Sequence, residues 1–152
     1  MESKESTNKI LQVMYYLIYI TMIVVTIVFY YLFHKNDASE FPDLQSQFSL
    51  ILQYIVIGFT LLGVPGGLYL HKYYCGKLKK ITDEKEKLRR YFKVCGARMI
   101  LVSLGLFSGV YAFFALGAYK PMIYCAAISA IALVFCKPTM AKLEIDLDPN
   151  SL

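Results

Sequence analysis

The sequence predicts an all-α integral membrane protein with four antiparallel transmembrane helices and a basic cytosolic helical hairpin between the second and third. Three observations predict it. The 152-residue chain is 57% apolar, well above the soluble average. The apolar residues collect into four runs, at about 10–33, 48–70, 95–116 and 121–136. Ten of the sixteen Lys and Arg residues fall between His71 and Arg98, against three acids. One domain of 152 residues accounts for all of it.

Residues 1–9 are polar and are expected to be frayed or interfacial. The run from Ile10 to Phe33 would extend about 36 Å as a helix, enough to cross a roughly 30 Å hydrocarbon core with tilt. It is longer than the apolar region of a signal peptide and shows no small-residue cleavage site, so it is expected to be retained. Tyr15, Tyr16 and Tyr19 near its start, and Tyr30 and Tyr31 near its end, are placed at the two interfaces. His34–Gln47 breaks the pattern with Pro42 and a net acidic balance, as a short outside loop would.

The second run carries Gly63-Val64-Pro65-Gly66-Gly67. Proline lacks the backbone donor and clashes one turn back, so a kink is expected and the Leu61 carbonyl needs another partner. Pro65, Gly66 and Gly67 would form a hinge or a broken helix lining a ligand site, with Gln53, Thr60, Ser103, Ser108, Tyr111 and Ser129 as candidate polar groups. A tolerated structural kink with interhelical hydrogen bonds is the plainer reading. Gly63 and Gly67, and likewise Gly105 and Gly109, make G-x-x-x-G pairs that let helix backbones approach closely, within the chain or between copies in a homo-oligomer.

In the stretch from His71 to Arg98, the chain must reverse to return to the same face. Thr82–Glu86 is the predicted place, with Asp83 as N-cap and Glu86 at the capping-box position. Tyr74, Leu78 and Ile81 before it, and Leu88, Phe92 and Cys95 after it, form the expected facing stripes of an upright hairpin. The alternative lays one arm on anionic lipid, Tyr91 and Phe92 dipping in and Lys87, Arg89, Arg90 and Lys93 on headgroups. The apolar arcs are narrow for that arrangement. Arg98 is read as snorkelling to the headgroups.

The turn at Gly117–Lys120 is tight, and Pro121 suits the first helical position after it. The last run is short for a bilayer unless the helix continues past Lys137-Pro138 or the membrane thins. Residues 137–152 read as a polar, peripheral tail. Lys4, Lys9, the nine cations from Lys72 to Lys93, Lys137 and Lys142 fall on one side, against Lys35 and Lys120 on the other. The positive-inside rule then puts both termini and the basic stretch in the cytoplasm, in a multi-pass plasma (bacterial inner) membrane.

Several function classes are disfavoured. No Asp or Glu lies within an apolar run, so an intramembrane proton relay has no carboxylate to use. Basic charge beside apolar spans is explained by topology and anionic lipid rather than by nucleic acid. Cys75, Cys95, Cys125 and Cys136 contain no C-x-x-C pair, and neither His34 nor His71 is read as their ligand partner, so no metal and no redox pair is expected. No cofactor motif is present.

The leading expectation is an interaction or structural membrane protein whose hairpin engages anionic headgroups or a cytosolic or membrane protein partner. The second is a transporter or binding protein for a lipophilic or small ligand at the Pro65 break. The third is a lipid-modifying enzyme around His71, Arg89, Arg90 and Arg98.

Overall fold

The computed structural model describes residues 4–34 and 43–148. Most of the loop expected at 34–47, including Lys35 and Pro42, and the last residues of the tail lie outside the described residues. Helices dominate, and no strand occurs among the described residues. They are α1 (Lys4–His34), α2 (Gln47–Gly58), a π-helical turn (Phe59–Gly63), α3 (Val64–Leu78), α4 (Glu84–Ala115), α5 (Lys120–Phe135) and α6 (Met140–Leu147). Among the described residues, three helical stretches are long and apolar enough to cross a membrane: α1, the continuous α2–π–α3 rod and α4. Counting α5 with α6, which turns away from it by 78°, raises the number to four.

Side-chain pairings fix the directions. Lys4 at the start of α1 lies 3.8 Å from Glu84 at the start of α4, and Phe33 stacks on Phe114 at the other end, so α1 and α4 run parallel. Along α4 and α5 the neighbours are Gly109 with Ala126, Gly105 with Ser129 and Arg98 with Cys136, an antiparallel pair. Gly67 against Leu101 and Val64 against Gly105 set α3 antiparallel to α4 in the same way. All the ends rich in Lys and Arg therefore meet at one end of the bundle.

The start of each helix follows from its sequence. Asp83 caps α4 by accepting from the Lys85 amide at 3.0 Å. The predicted capping-box partner Glu86 pairs instead with Arg90 one turn on. Ser46 caps α2 and Thr139 caps α6 through their hydroxyls. Pro121 lies in the first turn of α5, where its missing donor costs nothing. The α4–α5 turn closes with Gly117 and Ala118 at positive φ (63° and 61°), and the Ala118 amide donates to Phe113 O at 2.9 Å.

The expected break at Pro65 takes another form. The rod passes the proline as one 32-residue helical stretch and absorbs the misfit in the π-helical turn just before it. Thr60, buried within that turn, donates its hydroxyl to the Val56 carbonyl at 2.8 Å.

At the basic end two expectations are corrected. Residues 4–9, part of the segment expected to be frayed or interfacial, are the first turns of α1, with Thr7 and Asn8 buried. The tail expected to be peripheral holds α6, whose Leu143 and Leu147 join the main core with Leu11, Leu78, Leu88 and Tyr91. The reason is amphipathic spacing: Leu143 and Leu147 are one turn apart on a short helix and need a partner surface. Tyr15, expected at an interface, is likewise buried against this core. The outer faces of the rods stay apolar, with Leu17, Ile20, Tyr54, Leu62 and Ile131 among many well-exposed side chains. Such a surface calls for an apolar solvent or partner.

The backbone contact between α4 and α5 supplies a test. A Cβ on Gly109 would come within 2.8 Å of the Ala126 amide nitrogen, whereas one on Gly66 meets nothing within 4 Å. Gly109→Ala should force α4 and α5 apart and cost about 1–3 kcal/mol, read as a lower unfolding temperature in detergent. Gly66→Ala, in open helical space, should be neutral or stabilise by up to about 1 kcal/mol.

Candidate functional site

Polar and ionisable groups converge at the basic end, where α3, α4, the end of α5 and α6 meet. On α3 the inward face is His71, Cys75 and Leu78; on α4 it is Leu88, Tyr91 and Cys95. Of the predicted α3 stripe, Leu78 is buried and Ile81 packs against the core, while Tyr74 points outward at 47% exposure and His71 and Cys75 take the inward face above Leu78. Tyr91, which the alternative reading sent into lipid, is 2% exposed.

The cluster centres on Asp146 of α6. Its Oδ2 lies 3.3 Å from His71 Nε2 and accepts from the Tyr91 hydroxyl at 3.1 Å. Burial pushes the Asp146 carboxyl up, but the hydrogen bonds from His71 and Tyr91 and the His71 and Arg98 charges outweigh it, and its pKa is lowered. Cys75 Sγ lies 3.5 Å from His71 Nε2, and the His71 and Tyr91 rings meet edge to face at 6.2 Å. Cys75, Cys95 and Cys136 are all free and buried.

A second set of contacts closes the C-terminal end of α5. Helix ends leave carbonyls without intrahelical donors. Arg98 donates to Cys136 O at 3.2 Å, and Lys142 Nζ donates to Phe135 O at 2.9 Å and Lys137 O at 3.2 Å. Gln12 of α1 reaches Pro138 O at 3.3 Å. Arg98, expected to snorkel, also acts as a cap: one guanidinium N–H meets the Cys136 carbonyl at the negative end of a helix dipole.

A groove runs along the outer α3–α4 seam next to the cluster. Its inner part, about 240 Å³, is lined by Gly67, Leu70, His71, Tyr74, Val94, Ala97 and Leu101, with Lys93 and Arg98 at the edge. Its outer part, about 330 Å³, shares Tyr74, Lys93 and Val94 and adds Lys77, Leu78, Ile81 and Arg90. The lining is largely apolar and includes the cationic residues Lys77, Arg90, Lys93 and Arg98.

The remaining candidates are dispersed. Gln53 donates to the Leu44 carbonyl and Ser103 to the Ile100 carbonyl, Pro65 is exposed, and Gly67 packs under Leu101. Gly63 abuts the ring of Phe59 in its own rod. Gly105 and Gly109 receive α5. Lys87 donates to Leu147 O at 2.6 Å, Arg89 is exposed and Arg90 is held by Glu86. His71 and Arg98 share the groove, while Arg89 is not among its lining residues. The sequence reading missed Asp146 altogether, since only the fold of α6 brings it 75 residues back to His71. The His71–Cys75 pair was legible, being one helical turn apart.

Comparison with protein-family models, with curated proteins and with solved structures finds no match to this chain.

Removing the acceptor at the centre of the cluster should cost more than removing one donor. In metal-free protein kept under chelator, Asp146→Ala leaves the His71 and Tyr91 donors buried without an acceptor and should cost about 1–3 kcal/mol. Tyr91→Phe, which deletes one bond, should cost about 0.5–1.5 kcal/mol. Thermal unfolding in detergent measures both, and protease cleavage ahead of α6 should rise more in Asp146→Ala.

Proposed function

We propose that this chain is a small multi-pass membrane protein of binding or structural type whose basic end holds an anionic phospholipid. In this reading α1, the α2–π–α3 rod, α4 and α5 are four crossings. Both termini and the α3–α4 turn face the cytoplasm, as the charge count requires. The observation that carries the lipid assignment is the α3–α4 groove. Leu70, Tyr74, Val94, Ala97 and Leu101 offer an apolar floor for an acyl chain, and Lys77, Arg90, Lys93 and Arg98 offer cations at the level of its phosphate. Lys77 stands 4.6 Å over the ring of Tyr73, an aromatic–cation pair suited to a headgroup interface.

A second reading, a lipid-modifying enzyme, is favoured by one observation: His71 lines the same groove beside Arg98. It differs in its readout, since bound lipid would be turned over rather than retained.

Native mass spectrometry from nanodiscs of mixed phosphatidylcholine and phosphatidylglycerol tests the lipid assignment. Phosphatidylglycerol should be retained in preference. Lys77→Gln with Lys93→Gln should weaken that preference by about 1 kcal/mol per removed charge, several-fold for each. Equal retention of the two lipids, or an unchanged preference in the double variant, overturns the proposal. A reporter fused after Asp83 should read cytoplasmic, and an extracytoplasmic signal would overturn the orientation.

A further inference from the structure

The donor atoms of His71, Cys75 and Asp146 all lie within 4.8 Å of one another, and two of the three separations have the lengths of a metal coordination shell. Zinc binds imidazole nitrogen at about 2.0–2.1 Å, carboxylate oxygen at about 2.0–2.2 Å and thiolate sulfur at about 2.3 Å. At tetrahedral angles, bonds of those lengths put nitrogen and oxygen about 3.4 Å apart, and nitrogen and sulfur about 3.5 Å apart. His71 Nε2 lies 3.3 Å from Asp146 Oδ2 and 3.5 Å from Cys75 Sγ. The sulfur, 3.9 Å from Nδ1 as well, stands beside the ring, so Cys75 has to swing into line with the Nε2 lone pair, and that movement must also close the sulfur–oxygen edge to about 3.5 Å from a separation of at most 4.8 Å.

We propose that His71, Cys75 and Asp146 form a zinc-class divalent metal site that fastens α6 to α3. Hydrogen bonding alone serves the three groups poorly. A single proton on Nε2 satisfies Asp146 and leaves that nitrogen no lone pair for the Cys75 thiol, whose other ring contact, to Nδ1, is 3.9 Å long. A cation between them engages all three donors. Binding releases the thiol proton to solvent, and the thiolate and carboxylate together neutralise the dication, so no net charge is buried. The mixed sulfur, nitrogen and oxygen set selects zinc over magnesium or calcium, which take oxygen ligands.

The supporting shell is in place. Tyr91, almost fully buried, donates to Asp146 Oδ2 and orients the carboxylate as outer-sphere partners of metal ligands do. His71 also lines the groove, which gives water a route to a fourth coordination position. The expectation of no metal rested on the absence of a C-x-x-C pair and of a histidine at metal-ligand spacing from the cysteines. It did not weigh His and Cys one turn apart on a helix, and the third ligand comes from a helix the sequence reading placed in the tail.

The test is cobalt titration of the full chain in detergent, reduced and stripped of metal. One Co²⁺ per chain should bind with a thiolate-to-metal charge-transfer band in the near ultraviolet, and Zn²⁺ should displace it. Cys75→Ser should abolish the band and Cys136→Ser should keep it. Tyr91→Phe should keep the band but lower affinity by about 10–100-fold. A missing band in the wild-type protein, a band that survives Cys75→Ser, or an affinity unchanged in Tyr91→Phe each overturns the proposal. Lipid retention plays no part in the readout, so this site and the groove stand or fall separately.

Discussion

The open end of α5 governs the architecture of the basic end. A 16-residue helix that stops at Phe135 leaves its last carbonyls facing a region where four helices crowd together, and these acceptors need donors. Arg98 from α4 and Lys142 from α6 provide them, and Gln12 from α1 holds the Pro138 carbonyl just beyond. Three elements are thereby tied to one helix terminus. Lys142 reaches back to Phe135 as the chain after Pro138 turns by 78° and folds over the end of the bundle. That reversal delivers Leu143 and Leu147 to the core and Asp146 to His71.

Along the rods the constraint is different. Small residues let α4 and α5 come to backbone contact at Gly109 and Ala126, with Gly105 facing Ser129 and Val64. Close backbone packing matters most where apolar surroundings give no hydrophobic advantage to burying side chains. Many large aliphatic residues accordingly point outward, and the tightest contacts between the rods run through glycine, alanine and serine, with Val56, Met99, Val102, Met122 and Leu133 filling the space between them. At the basic end the rule reverts to that of a soluble core, with Leu11, Leu78, Leu88 and Leu143 inside and charges outside. The molecule thus joins two packing regimes along the length of α4.

The two proposed sites exploit the boundary between these regimes. The groove lies on the outer side of the α3–α4 seam and combines an apolar floor with cations, the pairing that an amphiphile requires. The His71–Cys75–Asp146 cluster lies on the inner side, walled by Tyr91 and α6. His71 belongs to both, so a metal ion fastening α6 would also stiffen one wall of the lipid groove.

Composition and periodicity were enough to establish the helical class, the long apolar stretches and the reversal at Asp83, because these depend on local hydropathy and capping chemistry. The charge count likewise located the basic end. The sequence did not reveal which side of α3 faces inward. Tyr74 and His71 both fit a helical stripe, and only the arrival of α6 makes the His71–Cys75 face the buried one. Arg98 looked like a headgroup anchor because a lone cation in an apolar run has no visible local partner. Its partner is a carbonyl 38 residues away. Pro65 announced a break that the π-helical turn absorbs, a choice between two backbone geometries that packing against α4 decides. What the sequence alone determined was the local chemistry of each helix. The tertiary structure decided which polar groups meet, since Asp146, Tyr91 and His71 come together only when distant helix ends are closed by one another.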